Sequence, residues 1–274
     1  MVVCFGLRAI FAACAFLGPF VWPVGPQAQP AASEPQETQR IADLVIANHI
    51  LANQNILDAW GHVSIRSAKN PRHFYLSRSL APALVKAEDI MEYDEDSKPI
   101  DTRGRALYLE RFIHGEVYRA RPDVQAVVHS HSPAVIPFSM TGVPLRMAFL
   151  LGAFLGSGAP VFEIRGAAGN ASNMQVTDQS RGVALAKSLG SAEVVLMRGH
   201  GDTVVGPTIK VAVARAVYAE VNARIQMDAI RLGRPVYFTD GEAATLKKME
   251  DEERSVIRPW ELWKVQAERA GGAQ

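Results

Sequence analysis

The sequence has very little cysteine and almost no net charge. Of its 274 residues only Cys4 and Cys14 are cysteines, and 29 Lys and Arg face 28 Asp and Glu, a formal charge of +1. Nucleic-acid binders usually carry a basic excess or a basic stripe, so we expect no nucleic-acid partner. Charged residues make up 21% of a chain that is 48% hydrophobic, and this balance excludes global disorder.

The N-terminal segment has one charge and one short apolar run. Arg8 is the only charged residue before position 34, and the apolar run over 9–22 leads to small residues around Ala28. This pattern predicts a signal peptide over residues 1–28. The run has about 14 residues and contains a proline, so it is shorter than the roughly 20 residues of a spanning helix. A buried or uncleaved membrane-anchoring helix is the alternative.

Cleavage of this segment has two consequences. It removes both cysteines, which excludes a disulfide framework and thiol chemistry in the mature chain. It also predicts a periplasmic or secreted protein with no stable membrane span, with a cytoplasmic location as the alternative.

The rest of the chain alternates helical and strand-like segments. We predict a linker over 29–37, one domain over 38–238, and a charged helical tail over 239–274 with Trp260 and Trp263 as docking anchors. Within the domain, the periodicity predicts helices over 41–57, 107–119, 182–189 and 208–232, strands over 62–66, 73–77, 124–129 and 193–197, and a hairpin over 89–101. Because helices and strands alternate with no linker between them, the sequence indicates a single α/β domain.

Three histidines follow strand-like runs. His129 and His131 end the run Ala126-Val127-Val128, and their spacing of two places both side chains on one face of a strand. His200 follows an apolar strand inside a Gly-His-Gly turn. Three histidines with an open position describe a catalytic metal site. Glu110 lies in a predicted helix, where an exposed glutamate is the ordinary interpretation, and His114 shares its face.

These residues together resemble the class II aldolase/adducin family. The resemblance rests on Glu110-Arg111-Phe112-Ile113-His114, Val127-Val128-His129-Ser130-His131 and Arg198-Gly199-His200-Gly201, and it extends over about residues 40 to 232. It implies a single-domain, three-layer fold with a central, mostly antiparallel sheet flanked by helices, and usually a homotetramer. It also implies that His129, His131 and His200 hold a divalent metal, Zn or else Mn or Fe, and that Glu110 is the catalytic acid/base.

The departures from the family concern the substrate. Sugar-phosphate aldolases of the family cradle phosphate with small residues, whereas this chain has Gly61-His62-Val63-Ser64, Ser77-Arg78-Ser79-Leu80 and Tyr108-Leu109 at those places. The resemblance therefore points to the branch that decarboxylates hydroxylated aromatic or pyridine dicarboxylates. Arginine binds carboxylates bidentately, so we predict a small-molecule carboxylate substrate. Its predicted contacts are His62, Ser64, Arg78, Ser79 and Arg111.

Three functions remain open from the sequence. The first is a metal-dependent decarboxylase of a hydroxyaryl carboxylate. The second is an aldolase that cleaves an unphosphorylated hydroxy-keto acid or sugar, since the same groups would bind its carboxylate. The third is a non-catalytic binding module like the adducin head, a branch that tends to lose the metal ligands that this chain retains.

Overall fold

One seven-stranded sheet organises the chain. The computed structural model describes residues 1–3, 34–250 and 253–271. The predicted signal peptide, beyond residue 3, lies outside the described residues. The strands are β1 His62–Arg66, β2 His73–Ser77, β3 Ile90–Asp94, β4 Ala126–Ser130, β5 Val161–Phe162, β6 Val194–Met197 and β7 Gly201–Gly206. Their order is β3-β2-β1-β4-β7-β6-β5, and every pair is antiparallel except β5 with β6.

Eight α-helices are described beside the sheet. They are α1 Glu34–Asn53, α2 Phe112–Ala120, α3 Ile136–Met140, α4 Arg165–Ala168, α5 Gln179–Leu189, α6 Ile209–Leu232, α7 Asp240–Glu250 and α8 Glu253–Gly271. The side chains of Asp178 and Thr208 accept the Arg181 and Val211 N–H groups, which caps the first turns of α5 and α6. Among the described residues no helix is long and apolar enough to cross a lipid bilayer.

The alternation of side chains along the strands creates three layers. Val128 points into the core that α1, α6 and α8 share, whereas its neighbour Val127 points into a second core built with α2 and α5. The predicted three-layer α/β fold with a mostly antiparallel sheet is confirmed. His129 follows Val127 at a spacing of two, so its side chain lies on the α2 face of the sheet.

The segment predicted as a charged tail completes the first core. Trp260 and Trp263 of α8 are buried in the same cluster as Leu44 and Leu51 of α1. The Trp263 ring also lies 5.7 Å from that of Tyr218 on α6. The predicted anchors therefore hold α8 against α1 and α6.

Several predicted boundaries were wrong. Helix α1 begins at Glu34, inside the predicted linker, because a proline is tolerated in a first turn, where its missing N–H has no partner anyway. The predicted helix over 107–119 begins only at Phe112, because Glu110 lies at φ −90° and ψ 20°, outside helical geometry. Strands β5 and β7 were not predicted, and β7 lies beside the central strand β4.

Candidate functional site

Four predicted residues converge at the α2 face of the sheet. One ligand atom each from Glu110, His129, His131 and His200 lies within 4.8 Å of every other. They come from the turn before α2, the end of β4 and the turn between β6 and β7. We call these four residues the ligand cluster.

Strand pairing positions His129. Strands β4 and β7 pair with His129 opposite Thr203 and Ser130 opposite Asp202. The His129 Nδ1–H donates to the main-chain carbonyl of Asp202 over 2.8 Å, so Nε2 carries the lone pair. Burial lowers the pKa of His129 to about 3, which keeps the ring neutral.

The other two histidines meet at the mouth of the cluster. His131 Nε2 lies 3.2 Å from His200 Nε2, and His131 Nδ1 lies 3.3 Å from Asp58 Oδ2. The Trp60 and Gly61 N–H groups donate to the other Asp58 oxygen. Although partial burial acts to raise it, these bonds and His131 hold the pKa of Asp58 below its usual value. Asp58 therefore orients His131 from behind, a contact that sequence reasoning missed.

Glu110 closes the cluster from the helix side. Its Oε2 lies 3.7 Å from His129 Nε2 and 3.5 Å from His200 Nε2. Its Oε1 accepts the Val176 N–H over 2.8 Å. Burial acts to raise the pKa of Glu110, but the histidines and the Val176 N–H outweigh it and hold the pKa at about 2. The carboxylate is therefore ionised at neutral pH, although only 8% of the residue is exposed.

The cluster fits a divalent cation on its own chemistry. His129 Nε2 is buried and has no hydrogen-bond partner among the described residues. Its nearest carboxylate oxygen, at 3.7 Å, is too distant for a hydrogen bond. Buried lone pairs are rarely left unsatisfied, and a metal-binding histidine typically donates its other N–H to a carbonyl, as His129 does. Neutral imidazoles and one carboxylate are a donor set that Zn, Mn or Fe accepts.

Two of the predicted substrate contacts lie next to the cluster but are largely enclosed. His62 pairs with His129 across β1 and β4, and the two ring centroids are 5.1 Å apart. The Tyr108 ring packs on His62 at 4.6 Å, so two aromatic rings occupy the place where the family resemblance expects a phosphate cradle. Ser64 is fully buried and hydrogen-bonds to His114 and Tyr118. Any effect of Ser64 on a substrate is therefore indirect.

The three remaining predicted contacts differ in their availability. Arg111 donates to the carbonyls of Ser97 and Tyr108, which uses its guanidinium to hold the turn before α2. Arg78 donates to Asp89 Oδ1 over 2.6 Å. Ser79 is exposed. Direct contact of Arg78 and Ser79 with a substrate stays a prediction, and Arg111 has contacts typical of a structural residue.

A cleft of about 260 Å³ opens onto the cluster. Its lining combines the two outer histidines with a loop and a turn that sequence reasoning did not single out: His131, Asn173, Met174, Gln175, Gly199 and His200. The same loop supplies the Val176 N–H to Glu110. Because the contribution of Val176 is a main-chain atom, no side-chain pattern in the sequence could have revealed it.

Comparisons with known proteins identify relatives of this chain. The family model described as Class II Aldolase and Adducin N-terminal domain matches residues 42–227. Decarboxylase tropJ of Talaromyces stipitatus is 36% identical over 244 residues, which cover 81% of this chain and 92% of that protein. The 3,4-dihydroxyphthalate decarboxylase of Arthrobacter keyseri is 28% identical over 207 residues, covering 69% and 78%.

A solved structure supports the fold. The L-fuculose 1-phosphate aldolase from Glaciozyma antarctica superposes with a TM-score of 0.72 at 24% identity, covering 89% of this chain and 96% of that one. At this identity the likeness concerns the fold alone, and it confirms the fold that the sequence resemblance implied.

Proposed function

Because the chain belongs to the class II aldolase and adducin family, we propose that it is a divalent-metal-dependent lyase that decarboxylates a hydroxylated aromatic or pyridine carboxylate. The observation that carries the proposal is the convergence of Glu110 and three histidines, with His129 Nε2 left without a hydrogen-bond partner in the part of the chain that the structure describes. The two relatives named as decarboxylases favour loss of CO₂ over other reactions of such a cluster.

Different residues would hold the metal and the ring of the substrate. Bound to the three imidazoles, a divalent ion would act as a Lewis acid toward the phenolic oxygen and the neighbouring carboxylate of the substrate. Zinc is one candidate, and Mn or Fe are the others. The rings of His62 and Tyr108 form an aromatic wall beside His129, which suits a flat substrate better than a phosphate group.

Glu110 has the position and charge of the catalytic base. Because its carboxylate is ionised, it can take the phenolic proton as the substrate binds. The carbon–carbon bond to the carboxylate then breaks, CO₂ leaves, and the electron pair remains on the ring carbon. Glu110 returns its proton to that carbon, so the carboxylate is regenerated and the phenolate product leaves.

One assay separates the candidate functions. The metal-loaded protein is incubated with 3,4-dihydroxyphthalate and related hydroxyphthalates, and released CO₂ is measured. We expect release from at least one acid, abolished by a chelator. Absence of CO₂ together with cleavage of a 2-keto-3-hydroxy acid would establish an aldolase instead. A preparation that binds no metal and cleaves neither class would favour an adducin-like binding module.

Assembly and location belong to the same proposal. We expect a homotetramer, which sedimentation equilibrium tests, and a mature chain that begins near residue 29, which mass spectrometry of the purified protein tests. A mature chain that retains residues 1–28 would favour the anchored or cytoplasmic alternatives.

A further inference from the structure

A chain of buried polar side chains runs from the ligand cluster into the α2 layer. His62 Nδ1 lies 2.7 Å from His114 Nε2, and His114 Nδ1 lies 2.6 Å from Ser64 Oγ. Ser64 Oγ in turn lies 2.8 Å from the hydroxyl of Tyr118. All four residues are buried, and His62 begins the chain next to His129.

The direction of these hydrogen bonds follows from the far end. The Tyr118 hydroxyl is buried, and within residues 34–250 and 253–271 Ser64 Oγ is the acceptor within its reach. A buried hydroxyl proton is rarely left without an acceptor, so Tyr118 donates to Ser64. The single proton of Ser64 must then be donated to His114 Nδ1. His114 consequently carries its proton on Nε2 and donates it to His62 Nδ1.

The hydrogen bonds also determine which nitrogen of His62 carries hydrogen. The His62 ring accepts the His114 Nε2–H at Nδ1, so it cannot be an imidazolium, which carries hydrogen on both nitrogens. A neutral imidazole that accepts at Nδ1 carries its hydrogen on Nε2. His62 Nε2 makes no hydrogen bond to the described residues. Among the described residues this N–H therefore has no acceptor, and its ring lies 5.1 Å from that of His129.

We propose that Ser64 and His114 are positioning residues that fix His62 as the Nε2–H tautomer, a neutral hydrogen-bond donor to an anionic oxygen of the substrate. The identity of that oxygen rests on the proposed function, whereas the tautomer does not. Because Nε2 carries hydrogen, His62 cannot bind the metal, although its ring lies as close to His129 as those of His131 and His200 do. No proton leaves His62 during the reaction. It stabilises developing negative charge as an oxyanion-hole donor does.

Nitrogen NMR on the full chain tests the tautomer without an activity assay. Histidine-selective ¹⁵N labelling distinguishes nitrogens that carry hydrogen from bare ones, and the His62→Gln spectrum assigns the His62 resonances. We expect hydrogen on Nε2 and a bare Nδ1, in the presence and absence of Zn²⁺. Hydrogen on Nδ1 of the wild-type protein, as the other tautomer or as imidazolium, would overturn the proposal.

Substitutions at His114 test the effect on catalysis. His114→Leu removes the donor to His62, and we expect kcat/KM to fall about tenfold with metal content unchanged. His114→Gln restores an N–H donor of similar reach and should recover most of that loss. As a control, Tyr93→Phe removes a hydroxyl from a buried tyrosine that, like Tyr118, packs on Phe74 and should change kcat/KM less than twofold.

Failure of the positioning proposal can be distinguished from failure of the proposed function. If His114→Leu keeps both the Nε2–H tautomer and the wild-type kcat/KM, the positioning by His114 is wrong even though the lyase is active. If no substrate of the panel reacts while the wild-type tautomer is as expected, the proposed function fails and the hydrogen-bond chain stands.

Discussion

His129 donates its Nδ1–H to the main-chain carbonyl of Asp202 over 2.8 Å. Because the acceptor is a backbone atom, the tautomer of His129 depends on the pairing of β4 with β7 and not on any side chain. Asp202 separately holds β4 through Ser130, whose hydroxyl donates to Oδ1 over 2.6 Å. The orientation of the most buried histidine of the cluster is thus set by the register of two central strands.

Removal of one outer histidine should remove the metal. In His200→Ala the cluster loses one of three imidazoles, and we expect metal content to fall severalfold by elemental analysis after dialysis. His73→Ala is the control, because His73 pairs with Glu92 on β3, at the far edge of the sheet. Equal metal content in the two variants would show that the ligand cluster is not the metal site.

Glu110→Gln should separate metal binding from turnover. The amide keeps an oxygen that can accept the Val176 N–H but has no basic carboxylate. We expect a folded, metal-containing protein whose kcat falls by about 10²–10⁴, the usual contribution of a general acid/base. CO₂ release and metal content are measured on the same preparation. A kcat within tenfold of the wild-type value would exclude Glu110 as the base.

The buried histidines predict a loss of stability in acid. Burial lowers the pKa values of His114 and His129 to about 3 each, and that of His62 well below 6.5. Below about pH 6.5 these histidines therefore bind protons in the unfolded chain but stay neutral in the folded chain. The free energy of unfolding consequently falls as the pH drops toward 3. Each histidine contributes a slope of at most about 1.4 kcal/mol per pH unit. Two carboxyl groups act in the opposite direction, because burial raises the pKa of Asp202 to about 7 and also raises that of Glu116.

Urea unfolding between pH 7 and pH 5, with a chelator present to exclude metal loss, measures this slope. Three histidines outweigh these two carboxyl groups, so we expect stability to decrease on acidification and to decrease less steeply in His114→Gln. A free energy of unfolding that is constant or larger at pH 5 would contradict the prediction.

The C-terminal helix should be part of the stable core. Trp260→Ala removes a side chain from a residue that is only 6% exposed, and we expect a loss of about 3–5 kcal/mol in the free energy of unfolding. Leu262→Ala on the same helix is the matched control, because Leu262 is 56% exposed and should cost less than about 0.5 kcal/mol. Similar losses in both variants would mean that α8 is not docked through its tryptophans.

The sequence was most informative where a side chain carries the chemistry. The His-x-His spacing, the third histidine and Glu110 predicted a cluster that the structure brings together. The contacts that orient these side chains could not be predicted from the sequence, because His129 donates to a main-chain carbonyl and Glu110 accepts from a main-chain N–H. Arg111 looked like a carboxylate ligand, yet its guanidinium is occupied by main-chain carbonyls that lie near it only in the folded chain.

Strand β7 was missed for a reason that the packing explains. Its glycines and Asp202 are atypical of a strand, so residues 198–201 were predicted as a turn. A Cβ atom at Gly201 would lie 1.9 Å from the Ser130 carbonyl oxygen. The glycine that argued against a strand is therefore the residue that lets β7 approach β4 closely enough to place His200 in the cluster.

The packing of α8 on α1 also bears on how the protein is made. Leu44 and Leu51 of α1 are buried in the same core as Trp263, and Gln54 donates to Gln266 over 3.1 Å. As the ribosome synthesises the chain from its N-terminus, the apolar face of α1 emerges more than two hundred residues before its partner. We expect the nascent chain to expose that face until translation ends, which makes it a client for chaperones and leaves a chain truncated before residue 253 prone to aggregate.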